Sequence, residues 1–392
     1  MQKLSPRDET EIADIVRAAA DGASFEIVSG GSKRNMGRAT EAGTLLDVSA
    51  LSGIVAYEPD ELVLTVRAAT TLTEVTALLA SRNQMLGFAP ADWGPLLGAE
   101  QGSATMAGIV GSNSSGARRV KAGAVRDHLI GARFVNGAGE IIKAGGRVVK
   151  NVTGFDIAKL MAGAFGTLGV LTELTFRVVP APQAAPVVAL RDCTPESGLQ
   201  ALRDAASLPL EATGLAYLPS SISGPQFPNG VALIRVEGSH DAVADKTARL
   251  MKAFVAHDPI MLAEDTGAAL FREIDNGGVF RGTGSDLWRL CVPTSASAEA
   301  LSASGATNWY ADWAGGLLWL ELPATESVAA HLRAITAKHG GHAMLMRAAV
   351  QSRKTLAVFE PEPPARAGLT RSIKAAFDPK HVLNPGRMYE DL

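Results

Sequence analysis

The chain has 392 residues, of which 47% are hydrophobic and 20% are charged, and its formal net charge is -3 at neutral pH. This length suffices for two or three domains with buried cores, and the charge gives no reason to expect a nucleic-acid ligand. No apolar run reaches the roughly 18 residues of a membrane span and no signal-peptide core is present, so we expect a cytoplasmic protein.

The cysteine content excludes several kinds of site. The two cysteines, Cys193 and Cys291, lie far apart and form no C-x-x-C pair. A disulfide framework, a zinc site or an iron–sulfur cluster held by cysteines of this chain is therefore not expected. We predict two buried thiols.

The first elements in the chain are a helix and a strand. Ser5 is predicted to cap a helix that has Pro6 in its first turn and ends near Gly22. The run from Phe25 to Val28 then predicts a strand, because its apolar and β-branched residues are followed by glycines. This strand leads into a glycine-containing loop at 29–38.

The loop at 29–38 reads SGGSKRNMGR, which is a candidate anion-binding turn. Consecutive backbone N–H groups in such turns form a concavity for anions, and Lys33, Arg34 or Arg38 would add positive charge. The alternative is an ordinary surface turn with solvated basic residues. The loop matches neither G-x-G-x-x-G nor the P-loop pattern, which disfavours a Rossmann or P-loop nucleotide site.

Short β-rich runs follow at 45–48, 54–58 and 62–67, and their close spacing indicates a mixed or antiparallel sheet. Thr71 and Glu74 match a capping box for a helix that continues through Ala80. The next stretch, 88–95, is too rich in proline and glycine to form a strand.

The segment 102–116, GSATMAGIVGSNSSG, combines glycine with small hydroxyl and amide side chains, and we predict an irregular ligand-binding cradle there rather than a helix or strand. A β-hairpin is predicted from Leu129–Val135, the turn at 136–139 and Ile141–Ile142. A short helix containing Leu160 and Met161 follows the turn at 154–156, and a strand is predicted from Leu171 to Val179.

Beyond Pro180 the composition changes. Strand-like runs at 187–190, 231–236, 287–292 and 317–321 alternate with alanine-rich helical stretches near 197–206, 240–256 and 325–339. This alternation predicts an α+β domain, bounded by the proline-rich stretches at 180–186 and 360–364.

Several motifs occur in a fixed order, and together they resemble a known family. They are the SGGS loop at 29–32, the 102–116 segment, GAVRDHLIG at 123–131, NVTGFDIAKL and GAFGTLGVLTE within 151–173, and FDPKHVLNPGR at 377–387. This set resembles the FAD-binding domain of the vanillyl-alcohol-oxidase, or p-cresol methylhydroxylase (PCMH), family. Within that family it is similar to the FAD-binding subunits of bacterial glycolate oxidases.

The resemblance implies an α+β fold in which an inserted α+β cap interrupts a two-subdomain FAD-binding domain of the PCMH type. The expected domains are the FAD-binding domain at 1–180, the cap or substrate domain at 181–364 and a C-terminal segment at 365–392 that returns to the FAD-binding domain. The residues expected to contact FAD are Gly30, Gly31, Ser32, Lys33, Asn35, Gly37, Ser103, Thr105, Gly108, Gly111, Asn113, Ser115, Gly116, Arg119, Gly123, Gly169, Val170, Asn384 and Arg387. Because the 29–38 loop has no His or Cys for covalent attachment, we expect dissociable FAD.

The resemblance also implies an activity and partners. It implies an FAD-dependent oxidoreductase that oxidises glycolate, or a similar short 2-hydroxy acid, and passes the electrons to a partner. The expected partners are a second flavoprotein subunit and an iron–sulfur subunit, through which the protein would lie at the periphery of the inner membrane. The alternatives are a non-catalytic flavin or electron-relay subunit and, less favoured, a stand-alone D-2-hydroxy-acid dehydrogenase.

Candidates for catalysis are few. Relatives that resemble D-lactate dehydrogenase carry an H-G-D-G-N-x-H phrase whose histidines bind a metal, and this chain has no such phrase. His331, His339 and His342 are better explained by the end of a helix than by a metal site, so no metal is expected. Arg347 is a candidate for binding a substrate carboxylate, although a solvated or ion-paired arginine is the favoured interpretation. No catalytic residue is assigned.

Overall fold

The computed structural model describes residues 2–20, 22–146, 156–191 and 193–392. The chain forms two compact units. Unit 1 consists of Met1–Ser115, Gly123–Ala181 and Ala357–Leu392, whereas unit 2 consists of Gly116–Ala122 and Pro182–Leu356. The sequence predicted domain ends at residues 180 and 364, and the corresponding boundaries between the units follow residues 181 and 356. Residues 154 and 155 of the predicted turn, and residues 151–155 of the NVTGFDIAKL motif, lie outside the described residues. The description of the motif begins at Asp156.

The elements up to Pro180 are, in chain order, β1 (Gln2–Leu4), α1 (Glu9–Arg17), β2 (Phe25–Val28), β3 (Thr44–Asp47), β4 (Ile54–Glu58), β5 (Val63–Arg67), α2 (Leu72–Ala80), β6 (Gln84–Met85), α3 (Met106–Gly111), α4 (Arg119–Ala122), α5 (Val125–His128), β7 (Leu129–Val135), β8 (Ile141–Gly145), α6 (Ala158–Met161), β9 (Val170–Arg177) and β10 (Val179–Pro180). The later elements are β11 (Val187–Leu190), α7 (Pro195–Ser207), β12 (Gly214–Leu218), α8 (Ser220–Ser223), β13 (Val231–Arg235), α9 (His240–Ala253), β14 (Pro259–Met261), α10 (Glu264–Asn276), β15 (Leu287–Cys291), α11 (Ser297–Ser304), β16 (Trp309–Asp312), β17 (Leu317–Glu321), α12 (Glu326–Lys338), β18 (His342–Arg347), α13 (Val350–Thr355) and α14 (Pro364–Phe377).

Unit 1 contains two sheets of different kinds. A parallel sheet has the order β1-β3-β2, and an antiparallel sheet has the order β4-β5-β9-β7-β8. Each sheet packs on its own hydrophobic cluster: Ile12, Phe25 and Leu46 belong to the first, and Leu64 and Phe176 to the second. The two clusters correspond to the two subdomains that the PCMH-type resemblance implies.

Local signals explain several of these elements. The hairpin prediction is confirmed, because β7 and β8 pair antiparallel across a turn in which the Asn136 side chain accepts hydrogen bonds from the amides of Ala138 and Glu140. The helix prediction at Thr71 is also confirmed, since its hydroxyl accepts from the amide of Glu74. The first helix begins later than predicted, because Asp8, not Ser5, accepts from the free amides of the first turn.

The C-terminal segment completes the parallel sheet of unit 1. The amide of Phe25 donates to the carbonyl of Val382 at 2.8 Å, and the amide of Asn384 donates to the carbonyl of Phe25 at 3.0 Å. Leu383 therefore forms a parallel bridge with Phe25 at the free edge of β2. Val382 and Leu383 are fully buried in the same cluster.

Unit 2 is built on one eight-stranded antiparallel sheet in the order β14-β11-β13-β12-β16-β17-β15-β18. The predicted strands and helices between 187 and 339 are confirmed within a few residues. Four strands, β12, β14, β16 and β18, and four helices, α8, α10, α11 and α13, were not predicted. No described helix combines the length and apolar character that crossing a lipid bilayer requires.

Residues 116–122 form a short excursion of the chain into unit 2. The amide of Ala117 donates to the Asp275 carboxylate at 2.6 Å, and Arg118 forms a salt bridge with Glu237 at 2.7 Å. The Trp313 indole donates to the carbonyl of Gly116 at 3.1 Å. These contacts fix the excursion, which contains α4, within unit 2.

Candidate functional site: a glycine-lined cavity in unit 1

A cavity of about 120 Å³ opens in unit 1 where the glycine loop at 29–38 meets the segment 102–116; these two stretches are called the first and second cradle segments. The predicted FAD contacts that line it are Gly31, Ser32, Lys33, Thr105, Gly108, Gly111, Gly169, Asn384 and Arg387. These residues come from the 29–38 loop, from α3, from the start of β9 and from the C-terminal segment. The fold therefore brings together four sequence-distant parts of the predicted site.

Gly30 lies where the two cradle segments touch. A Cβ atom at this position would lie 1.9 Å from the carbonyl oxygen of Ser103, so only glycine fits without a shift of the backbone. Next to it, the hydroxyl groups of Ser29 and Thr105 are hydrogen-bonded at 2.7 Å. Gly31 has a φ of +74° with open space beside it, so the loop exposes backbone at the cavity.

The second cradle segment contains a helix, and the prediction of an irregular structure there is wrong. Thr105 caps α3 by accepting from the amide of Gly108. The fully buried Met106, Ile109 and Val110 lie at helical spacing and pack into the antiparallel-sheet cluster. Gly108 and Gly111 fall on the cavity side, so the glycines keep that face of the helix open to a ligand.

Lys33 places a buried cation in the cavity. Its side chain is 9% exposed, its Cδ lies beside Gly108, and its ammonium lies 5.9 Å from the centre of the Trp93 ring. Among the described residues, the Nζ atom has no hydrogen-bond partner. Burial lowers the pKa of Lys33 from 10.5 to about 8, and the Asp92 carboxylate offsets part of this effect.

Asn384 and Arg387 hold the cavity wall through backbone groups. The Asn384 side chain accepts a hydrogen bond from the backbone N–H of Ile27 at 2.8 Å and donates one to the backbone carbonyl of Phe165 at 2.7 Å. The Arg387 guanidinium donates to the carbonyls of Arg34 at 2.6 Å and Lys33 at 3.1 Å. The C-terminal segment thereby fixes the end of β2 and the glycine loop.

Further unsatisfied groups lie in the same region of unit 1. Within the described part of the chain, the Asn113 amide oxygen and the Ser114 hydroxyl are buried without a hydrogen-bond partner, as is the Lys33 ammonium. Buried polar groups are costly unless something pairs with them. A diphosphate would pair with the Lys33 ammonium, because Lys33 lines the cavity, whereas Asn113 and Ser114 do not line it. The buried cation and the glycines of the cavity wall therefore fit the diphosphate of FAD.

Other predicted FAD contacts belong to unit 1 but do not line the cavity. Asn35 donates to the carbonyl of Leu97, and Gly37, with a φ of +82°, packs against Arg387. The Ser115 hydroxyl accepts from the amide of Val125, and Gly123 has a φ of +84° beside Asp127. The remaining members of this group are Gly30, Ser103, Asn113 and the fully buried Val170.

Gly116 and Arg119 belong to unit 2. The Gly116 carbonyl accepts from the Trp313 indole, and the Arg119 guanidinium lies 4.9 Å from the centre of the Trp313 ring. These two predicted contacts are therefore not part of the cavity in unit 1.

The cavity also contains residues that the sequence did not single out as FAD contacts. They are Glu26, Ile27, Val28, Ser29, Arg34, Val48, Ala107, Ser112, Phe165, Gly166 and Leu171. Phe165 is notable, because it has a φ of +50° and exposes the carbonyl that Asn384 binds. The only local sequence signal for it was the glycine-rich stretch 163–169 in which it lies.

The predicted substrate contact, Arg347, lies in unit 2 and binds a loop of that unit. Its guanidinium donates to the carbonyls of Ser285 at 2.7 Å and Phe280 at 2.8 Å, and to the hydroxyl of Thr283 at 2.7 Å. These contacts give Arg347 a structural role, and its binding of a substrate stays a prediction.

The three histidines considered for a metal have separate partners. His331 is hydrogen-bonded to the carbonyl of Ala303 at 2.8 Å, and His339 lies 3.7 Å from the Glu299 carboxylate. His342 pairs in register with Cys291 on the neighbouring strand. Over the described ranges, no group of three or more His, Cys, Asp or Glu residues is arranged to hold a metal ion.

Comparison with known proteins gives the class of the protein. The sequence family described as FAD binding domain matches residues 3–145, which include the glycine loop and the second cradle segment. A solved structure of alkyldihydroxyacetonephosphate synthase matches 98% of this chain and 75% of its own, with a TM-score of 0.67 and 16% identity. That likeness concerns the fold. The family match, together with this fold, defines an FAD-binding protein of the PCMH type.

Two relatives make the family assignment of this chain more specific. Glycolate oxidase subunit GlcE of Escherichia coli is 31% identical over 382 residues, which cover 97% of each chain. Glycolate oxidase subunit GlcD of Bacillus subtilis is 30% identical over 183 residues, 46% of this chain and 37% of its own. The chain belongs to the family of glycolate oxidase subunit GlcE.

Proposed function

We propose that this protein is the FAD-binding subunit of a complex that oxidises glycolate, or a similar short 2-hydroxy acid, to the 2-oxo acid. The observation that carries the proposal is the match to glycolate oxidase subunit GlcE over 97% of both chains. The glycine-lined cavity with its buried Lys33 supports it, because it suits an adenine dinucleotide. Bound FAD would supply the hydride acceptor for the α-carbon of the substrate, and the electrons would pass to a partner.

The FAD is proposed to be bound non-covalently. Covalent attachment needs a histidine or cysteine beside the flavin, and the described residues that line the cavity include neither. We expect acid or heat denaturation to release all the yellow colour into the supernatant, whereas colour that stays with the precipitated protein would contradict this part of the proposal.

The proposed roles of the predicted contacts follow from their positions. The glycine loop and the α3 glycines would face the diphosphate and the flavin, and the predicted contacts outside the cavity would shape the loops or extend the site. Asn384 and Arg387 would act through the backbone groups that they bind. Arg347 remains the proposed contact for a substrate carboxylate in unit 2.

We further propose that the protein works with partners in the cytoplasm, at the inner membrane only through those partners. A second flavoprotein subunit is favoured because GlcE and GlcD are both named as subunits of glycolate oxidase, and this chain resembles GlcE over nearly all of its length. An iron–sulfur subunit as the electron acceptor is the remaining part of this proposal. Co-purification from the native source tests each partner directly.

A relay role is the second candidate, and the missing H-G-D-G-N-x-H phrase favours it. In that case the partner flavoprotein oxidises the substrate, and this subunit only carries electrons. The third candidate, a stand-alone D-2-hydroxy-acid dehydrogenase, is disfavoured because the sequence lacks this histidine phrase.

Rapid mixing with glycolate under anaerobic conditions separates the candidates. If this chain catalyses the oxidation, the spectrum of its oxidised flavin bleaches when it is mixed with glycolate without partners. Bleaching only in the assembled complex supports the relay role and excludes the stand-alone enzyme. Failure of the purified chain to bind FAD at all would overturn the proposed function.

A further inference from the structure

Three basic side chains line the cavity, and they differ in their existing partners. Arg34 forms a two-pronged salt bridge with Glu26 at 2.6 and 2.7 Å. Arg387 donates to the carbonyls of Lys33 and Arg34. Within the described residues, the ammonium of Lys33 has no hydrogen-bond partner. The charge of Lys33 is therefore the one that the protein leaves available to a ligand.

The surroundings of Lys33 favour a ligand that is an anion. The side chain is 9% exposed, and its Cδ lies beside Gly108 of α3, so the stem of Lys33 runs from the glycine loop to the second segment that lines the cavity. The acidic group that acts on it is Asp92. Both Asp92 oxygens already accept backbone hydrogen bonds, from the amides of Gly94 at 3.0 Å and Gly102 at 2.7 Å. A buried cation with a partly engaged counter-ion gains from a second anion.

We propose that the Lys33 ammonium pairs with the diphosphate of FAD, and that Lys33 takes up a proton from solvent when FAD binds to the free protein above neutral pH. This inference rests on the proposed function, because it assumes that the cavity holds FAD. It assigns to the side chain a role beyond the backbone contacts expected of the loop.

The proton uptake follows from the direction of the pKa change. In the free protein, burial lowers the pKa of Lys33 to about 8, so at about pH 9 roughly nine in ten Lys33 side chains are neutral. A bound diphosphate favours the charged form and raises the pKa again. The complex then holds more protons than the free protein, so FAD affinity falls as pH rises above about 8, by up to about tenfold per pH unit.

Calorimetric titration of the flavin-free full-length chain tests the proposal. At about pH 9, in buffers with different ionisation enthalpies, FAD binding to the wild type is expected to take up about one proton, and at about pH 7 much less. The Lys33→Met variant is expected to bind FAD roughly ten- to a hundredfold more weakly near pH 7, to lose the uptake, and to bind riboflavin as the wild type does. Riboflavin is the control because it lacks phosphate.

A second readout separates this role from a structural one. Because Lys33→Met removes a buried charge, the flavin-free variant is expected to unfold at the same or a higher temperature than the wild type. Arg38→Met is the matched control, since Arg38 lies in the same loop but does not line the cavity, and it is expected to keep both the affinity and the proton uptake.

Each contrary outcome has a distinct meaning. Lys33→Met with FAD affinity within about twofold of the wild type would overturn the pairing. An equal loss of FAD and riboflavin affinity would place Lys33 at the flavin ring or in the fold, and would also overturn it. A wild-type chain that binds neither FAD nor ADP would instead refute the proposed function.

Discussion

Gly30 shows how a single residue can decide whether two binding segments meet. Its Cα approaches the carbonyl of Ser103 so closely that a methyl group there would overlap the oxygen. The neighbouring hydrogen bond between Ser29 and Thr105 holds the two segments at this distance. A side chain at residue 30 must therefore push the glycine loop away from α3 and widen the cavity.

Gly30→Ala is expected to destabilise the flavin-free chain by about 1–3 kcal/mol and to lower its FAD occupancy, because the backbone has to shift to accept the new methyl group. Urea unfolding and the ratio of flavin to protein absorbance after desalting measure the two effects.

Gly368→Ala is the control for that variant, since Gly368 lies within α14 and a Cβ atom there would meet nothing within 4 Å. It is expected to leave FAD occupancy unchanged and to stabilise the chain by up to about 1 kcal/mol. If the two variants bind FAD equally well, the contact between Gly30 and Ser103 does not shape the site.

At the level of elements, the end of α14 is organised by a buried ion pair. The Lys374 ammonium lies 2.6 Å from the Asp378 carboxylate and also donates to the carbonyls of Thr167 and Leu383. Asp378 accepts in addition from the amides of Val382 and Leu383, and both charged residues are almost fully buried. Asp378, in the FDP phrase of the C-terminal motif, thereby turns the chain from α14 toward β2.

The two members of this pair are expected to differ in their effect on stability. Asp378→Ala leaves a buried ammonium without its counter-ion and two buried amides without their acceptor, and should cost about 3–5 kcal/mol. Lys374→Met leaves a carboxylate that still accepts from two amides, so it should cost less. Urea unfolding of both flavin-free variants measures the difference, and an equal or reversed order would contradict this account of the motif.

The sequence predicted elements best where the signal is local. The capping signal at Thr71 and Glu74 predicted α2, and hydrophobic periodicity predicted four strands and three helices of unit 2, because capping and periodicity act over a few residues. In α3 the same kind of signal was present, with Thr105 as the cap and Met106, Ile109 and Val110 at helical spacing. The high glycine and serine content concealed it, and buried packing outweighed the low helix propensity.

The cavity was predicted only in part, because its wall depends on tertiary contacts. The motifs indicated the glycines and Lys33, but Ile27 and Phe165 line the cavity only because the Asn384 side chain binds both of their backbones. The salt bridge between Arg34 and Glu26, which occupies the Arg34 guanidinium while the Lys33 ammonium stays without a hydrogen-bond partner among the described residues, likewise needs β2 and the loop to fold against each other. The spacing of these residues in the sequence predicts neither contact.

For the whole molecule, the division into two units predicts which part of the chain bound FAD should protect from hydrogen exchange. FAD at about a hundred times its dissociation constant should stabilise the protein by about 2.7 kcal/mol, if it binds the native state alone. In hydrogen exchange, added protection is expected in the stretches 26–34, 105–112, 165–171 and 384–387, which contain most of the residues that line the cavity. The central strands β12 and β13 of unit 2 serve as the internal reference. Protection centred on those strands would contradict a cofactor site in unit 1.

The C-terminal segment has a consequence for biosynthesis. The residues that pair with β2 and brace the glycine loop, Val382 to Arg387, follow the whole of unit 2 in the chain. A ribosome therefore translates every strand of the eight-stranded sheet before it makes the residues that finish the cavity of unit 1. The nascent polypeptide cannot assemble this complete cavity until translation is nearly over, so if FAD binds there as proposed, it is loaded late in the maturation of the protein.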